Sequence, residues 1–226
     1  MPENHSEIYH GLGLRAYGHR ARLNTILRQV SHFGLRPGAT FCDLGCSNGF
    51  ITEQIRAKLA LRATGMDHVA EHFELGHRLY PSITFKVVDL NEHYLGQEQY
   101  DLVTCFEALE HVGKLPNGIQ NVTARIRPGG FGLISVPIER GARGIMKYLV
   151  KKAIGGYTTK ELRVSEAKYF KTLLSSERIS SLRPDADGYG THFGFDYRDV
   201  DDCLTELCVK YEAFNSGTSR LYRIYG

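Results

Sequence analysis

In the stretch CFEALEHV, residues 105–112, two carboxylates and an imidazole stand at Glu107, Glu110 and His111. On a helical turn the spacing i, i+3, i+4 puts all three on one face. Carboxylate oxygens with an imidazole nitrogen suit a divalent cation such as Mg²⁺ or Mn²⁺. A metal held there could bind two substrate oxygens and acidify one of them. Two other readings stand beside that one. His111 could serve as a general base without metal, or Glu110 could cap backbone amides while His111 lines a pocket and positions substrate.

A second stretch, FCDLGCSNGF at residues 41–50, reads as a buried strand, a glycine turn and a helix start. Glycine lets a backbone turn tightly and approach a ligand, and the amides of a helix start point at whatever binds. The dinucleotide pattern G-x-G-x-x-G would need glycine at 45, 47 and 50, where the chain has Gly45, Ser47 and Phe50. A P-loop is excluded because no Gly-Lys-Ser/Thr follows. Asp43, just before the turn, would repel a diphosphate and attract an ammonium group.

The elements that must position these residues follow from periodicity. Helical spacing in residues 21–34 puts Leu23, Ile26, Leu27 and Val30 on one face. Strands are expected at 40–44, 62–67, 83–90, 100–106 and 131–137, separated by helices at 50–60, 69–80 and 117–126. Short apolar runs between amphipathic helices mean parallel strands covered on both faces. A helix at 197–208 and a closing hairpin at 210–226 complete a doubly wound, seven-stranded, mostly parallel α/β sheet. One domain of 226 residues is expected. It divides into a helical cover (1–36), a core (37–136), an insertion after the fifth strand (137–195) and the closing elements (196–226).

DLGCSNG resembles the first motif, D/E-x-G-x-G-x-G, of class I methyltransferases that use S-adenosylmethionine, with Ser47 in place of the middle glycine. TGMDHV, VVDL, YDLVTCFEALEHV and ARIRPGGFGLISVP match later motifs in the family's order, so the resemblance covers residues 38–136 well. It implies a Rossmann-like class I fold and S-adenosylmethionine as cofactor. It places Asp43, Gly45 and Gly49 at the methionine part, Asp67 at the ribose hydroxyls, Asp89 at the adenine amino group and Leu90 against the ring. Cys46, His68 and Phe106, beside or within these motifs, complete the expected cofactor-binding set. E-x-x-E-H is similar to two branches, the ubiquinone-pathway O-methyltransferases and the enzymes that 2′-O-methylate small-RNA ends. HFGFDYR, from His192, resembles a histidine segment of the RNA branch, although the aromatic is displaced by one and the preceding D-H pair is missing. By that resemblance Glu107, Glu110, His111 and His192 form the catalytic set, with Mg²⁺ or Mn²⁺ as the metal reading.

In GIMKYLVKKAIGG, Ile145, Met146, Leu149, Val150, Ala153 and Ile154 fall along one side, with Lys147, Lys151 and Lys152 on or near the other. Such a helix can pack on the domain, close over the site as a lid, or rest on an anionic membrane surface through 144–156. The expected acceptor is a small or carrier-linked metabolite, and RNA 2′-O-methylation or a non-catalytic cofactor-binding scaffold are the alternatives. A net charge of +3 is too mild to argue for nucleic acid. No apolar run approaches the roughly 18 residues of a membrane span, and the first residues carry no signal-peptide core. Five cysteines, mostly inside apolar runs, fit a reducing cytoplasmic compartment, with a peripheral membrane position as the further option. Nothing in the sequence sets an oligomeric state.

Overall fold

In the computed structural model of the chain, residues 7–94, 96–153, 164–183, 189–190 and 194–226 are described. A short helix α1 (Glu7–His10) and a long helix α2 (Leu14–Ser31) precede strand β1 (Thr40–Leu44). There follow α3 (Phe50–Leu59), β2 (Arg62–Asp67), α4 (Glu71–Leu79), β3 (Ile83–Val87) and β4 (Tyr100–Phe106). A 3₁₀ turn (Leu109–His111) leads to α5 (Leu115–Thr123) and the long strand β5 (Ile126–Pro137). After it come α6 (Gly141–Ala153), α7 (Glu166–Leu174) and a 3₁₀ turn (Ile179–Leu182). Helix α8 (Tyr197–Glu206) and the hairpin β6 (Lys210–Ser216) and β7 (Ser219–Tyr225) close the chain.

The seven strands form one sheet in the order β3-β2-β1-β4-β5-β7-β6. The pairs from β3 across to β5 are parallel, whereas β7 runs antiparallel to both its neighbours. Successive residues of the central strands feed opposite layers. Phe41, Leu102 and Leu133 pack with Ile26 and Val30 of α2 and Ile55 of α3. Cys42, Leu44, Val103, Cys105 and Ile134 pack with Ile119 and Val122 of α5 and with Val200 and Leu204 of α8. Strand order reverses between β1 and β4, so the crevice beyond their carboxyl ends is where such a sheet takes a ligand. No helix among the described residues is long and apolar enough to cross a membrane.

Three local features depart from the periodic reading. Strand β3 ends at Val87, not at residue 90, because Val88 N–H already meets Asp67 O, the last carbonyl of β2. Asp89 and Leu90 therefore sit in a loop. Strand β5 starts at Ile126, five residues early, through a bulge in which Gly129 takes φ +75°. In α6 the buried side is not the expected stripe. Tyr148, with Ile145 beside it, packs on Tyr169, Leu173 and Ile179, while Met146, Leu149 and Val150 stay exposed. Lys147 turns inward to Glu139 at 2.5 Å, and Lys152 pairs with Glu166 at 2.5 Å. Ile154 lies outside the described residues.

Candidate functional site

At the switch point the carboxyl ends of β1, β2 and β4 open onto a cavity of about 370 Å³. That is room enough for a cofactor-sized ligand. Gly45, Ser47, Asp67, His68, Val69 and His72 line one side; Val88, Leu90, Glu107, Ala108, His111, Tyr189 and Gly190 line the other.

The glycine turn forms the floor. Gly45 has φ +75°, and a Cβ there would collide with the Cβ of Ala108, so only glycine lets the β1 turn pass against the end of β4. Both Gly45 N–H and Cys46 N–H donate to Met66 O, at 2.8 and 3.1 Å, which ties the turn to β2. Ser47 takes φ +50°, the left-handed conformation that glycine would enter without strain. Its N–H donates to Asp67 Oδ2 at 2.8 Å. The serine thus keeps the backbone shape despite its side chain. Asp67 Oδ1 accepts Val69 N–H at 3.0 Å and lies 3.3 Å from His68 Nδ1.

Of the residues named from the motifs, Gly45, Asp67, His68 and Leu90 line the cavity, whereas Asp43, Cys46, Gly49, Asp89 and Phe106 do not. Asp43 is buried, with its two oxygens accepting the hydroxyls of Thr52 and Thr104, each at 2.6 Å. Burial without a cation pushes its pKa up to about 6. It braces β1 against α3 and β4 rather than facing a ligand. Cys46 is buried beside Gly65. Gly49, at φ +83°, caps α3 against the Phe85 ring, and Phe106 belongs to the core shared with α2 and α3. Asp89 Oδ1 accepts Asn91 N–H at 2.8 Å at the cavity's edge.

Glu107, Glu110 and His111 do not share a face. Glu107 takes φ +50°, which breaks the helical register before the 3₁₀ turn begins. Its Oε1 accepts the hydroxyls of Ser135 at 3.1 Å and Ser219 at 3.0 Å, and its Oε2 pairs with Arg22 at 3.0 Å. Glu110 is buried, its Oε2 has no hydrogen-bond partner among the described residues, and burial with Glu107 nearby holds its pKa well above the carboxylate range. His111 Nδ1 meets the Gly190 carbonyl at 2.9 Å, so that nitrogen carries the proton and Nε2 is the basic one. Among the described residues no three His, Cys, Asp or Glu side chains assemble to hold a metal ion. These residues therefore do not fit Mg²⁺ or Mn²⁺; His192 lies outside the described residues.

A second cavity, of about 410 Å³, lies between α2 and the tip of the β6–β7 hairpin. Gly18, His19, Ala21, Arg22 and Thr25 line it from the helix, and residues 216–219 from the hairpin. Arg22 and Ser219 face this second cavity and bond Glu107, which lines the first. Glu107 thus ties residues of the two linings together. Tyr189, Gly190, Arg22 and Ser219 are absent from the sequence-derived site. Arg22 did leave a trace, because it precedes Ile26 and Val30 by one and two steps of four on the buried face of α2.

A family model described as a methyltransferase domain matches residues 41–130. A ubiquinone biosynthesis O-methyltransferase of Shewanella halifaxensis is 30% identical over 147 residues, which is 63% of this chain and 60% of that protein. The chain spans about 60% of the length of the curated relatives it matches. Phosphoethanolamine N-methyltransferase 2 of Haemonchus contortus, solved with S-adenosyl-L-methionine, superposes with a TM-score of 0.61 at 13% identity, covering 89% of this chain and 52% of its own. The methyltransferase domain of bacterial CtHen1-CN gives 0.59 at 12% identity, over 92% and 99% of the two chains. At such identities these two structures speak for the fold. With the motif-bearing turn at the switch point, residues 41–130 match a methyltransferase domain, and the fold around them is that of the class I S-adenosylmethionine-dependent methyltransferases.

Proposed function

We propose that this chain is an S-adenosylmethionine-dependent O-methyltransferase acting on a small or carrier-linked metabolite. One observation carries the reading: a cavity with a glycine turn and Asp67 on one side and Glu107 and His111 on the other, backed by a second cavity behind Glu107. The relatives named ubiquinone biosynthesis O-methyltransferases support oxygen as the atom methylated.

When bound, S-adenosylmethionine supplies a methyl group on a positively charged sulfur. Asp67 takes the ribose hydroxyls, for which a carboxylate is a two-oxygen acceptor. Leu90 N–H and the Asp89 carboxylate meet the adenine edge. The acceptor enters from the cavity between α2 and the β6–β7 hairpin, where Thr25, Ser216, Thr218 and Ser219 can meet a hydroxyl-bearing group. His111 Nε2 would receive the acceptor's proton as the C–O bond forms and the methyl C–S bond breaks, with the sulfur leaving as a neutral thioether. Arg22 and the two serines hold Glu107 in place, so donor and acceptor meet in line at roughly 3–3.5 Å with water kept out. No step passes through a metal.

The test is incubation of purified protein with radiolabelled cofactor and fractionated extract. Label in the small-molecule or lipid fraction supports the reading. Label in RNA alone replaces it with RNA methylation, and cofactor binding without any labelled product replaces it with a scaffold role. Turnover is expected to be unchanged in EDTA; loss on chelation with recovery on adding Mg²⁺ or Mn²⁺ would overturn the metal-free account. The proposed location is the cytoplasm, at a membrane surface approached through the exposed Met146, Leu149 and Val150 of α6.

A further inference from the structure

The groups that the proposed reading gives to adenine are all engaged by one side chain, that of Tyr189. Its ring stacks on the His68 imidazole, with centroids 3.5 Å apart and 10° between the planes. Its hydroxyl accepts Leu90 N–H at 2.8 Å, with the Asp89 carboxylate close by. A phenol hydroxyl thus presents one acceptor and one donor at the rim of a flat π surface. The Watson–Crick edge of adenine presents the same pair, N1 and the amino group, on the same kind of surface, and proteins read that edge by hydrogen bonds while stacking the ring.

We propose that Tyr189 is a built-in adenine mimic: it holds the adenine seat, and an S-adenosyl ligand binds by displacing it. The inference rests on the cofactor reading above. The backbone beside the ring is fixed. Tyr189 forms an antiparallel bridge with Val112, and Gly190 donates to His111 O at 2.8 Å while its carbonyl receives His111 Nδ1. The ring is therefore the part that moves, by rotation about its Cα–Cβ bond. Two consequences follow. The apparent affinity for the nucleoside is reduced by the fraction of time the ring holds the seat. After transfer, the returning phenol competes with the demethylated product and speeds its release.

Calorimetric titration of S-adenosylhomocysteine and of 5′-methylthioadenosine into wild type, Tyr189→Phe and Tyr189→Ala tests this. Tyr189→Phe keeps the ring and the fold but loses the competing hydroxyl, and both ligands should bind about fivefold tighter. Tyr189→Ala also removes the stacking and should bind them about tenfold tighter or more. Wild-type binding with equal or weaker binding in both variants overturns the mimic alone and makes Tyr189 an ordinary wall of the cavity. No binding by any of the three proteins overturns the cofactor reading and the mimic together.

Discussion

Asp43 and Asp67 end neighbouring strands in matching motif positions, yet their surroundings give them different work. Asp67 accepts two backbone N–H groups and still lines the cavity, so it remains available to a ligand. Asp43 is enclosed, with two threonine hydroxyls for company and no cation. Its pKa, raised from 3.8 to about 6, means that the folded chain binds the proton more tightly than the unfolded chain does. That contribution to stability is fully present below pH 3.8 and is lost as pH rises through about 6. Asp43→Asn cannot ionise. Relative to it, wild type should lose about 3 kcal/mol of stability as pH climbs across this window. Urea unfolding of both proteins at pH 4.5 and pH 7 should read about 2 kcal/mol of this change, because pH 4.5 already lies inside the window. A difference between them that stays constant with pH would show that Asp43 has an ordinary pKa, and hence a route to solvent or to a cation.

At the scale of elements, the turn after β1 shows how a departure from a motif is absorbed. Ser47 sits at φ +50° without help from glycine, at a local cost of about 1 kcal/mol. Ser47→Gly should relieve that strain and raise the melting temperature by about 3 °C; an unchanged or lower value would mean that the serine hydroxyl, 3.4 Å from His72 Nδ1, holds the turn more strongly than strain opposes it. The parallel strands and their covering helices were legible because burial on two faces leaves short apolar runs between periodic segments. What was not legible depends on partners distant in sequence. Near the start of β5, Arg127-Pro128-Gly129-Gly130 looks like a turn, and it is carried in the strand only as a bulge between Ile126 and Phe131, which pair with β4. In α6 the apolar stripe pointed to Met146, Leu149 and Val150, but Tyr148 found ring partners in Tyr169 and Phe170 and set the buried side. The displaced stripe is the basis of the membrane reading. Lys147 and Lys152 are engaged by glutamates, so attraction must come mainly from the apolar trio. A Met146→Glu, Leu149→Glu double variant should melt like wild type and lose sedimentation with anionic vesicles; wild type that never sediments ends that reading.

Across the whole molecule, the two cavities meet where three distant parts of the chain converge. Glu107 leaves β4 in a left-handed conformation, Arg22 comes from the N-terminal helix, and Ser219 starts the last strand, 112 residues further on. No spacing rule could announce that meeting, because it exists only once β7 has inserted beside β5 and α2 has packed across them. The E-x-x-E-H pattern made Glu107, Glu110 and His111 look like one cluster. In the fold it supplies a carboxylate bonded to Arg22 and Ser219, a buried acid and an imidazole whose Nδ1 meets the Gly190 carbonyl. Arg22 is the group that tests this division. It lines the second of the two cavities, so the proposed reading gives it a role on the acceptor side, acting through the position of Glu107. Arg22→Ala removes one partner of a partly exposed pair, which should cost about 1–2 kcal/mol of stability after allowing for solvent screening. Affinity for S-adenosylhomocysteine should stay within about threefold, because the donor cavity keeps its walls. With the acceptor found by labelling, the KM for that acceptor should rise and kcat/KM should fall by more than about tenfold, as expected when a positioning contact is lost. Arg22→Lys, which keeps the charge but not the two-pronged geometry, should recover part of that loss. If cofactor affinity instead fell in step with turnover, Arg22 would belong to the donor side. The space between α2 and the hairpin would then lose its claim to the acceptor.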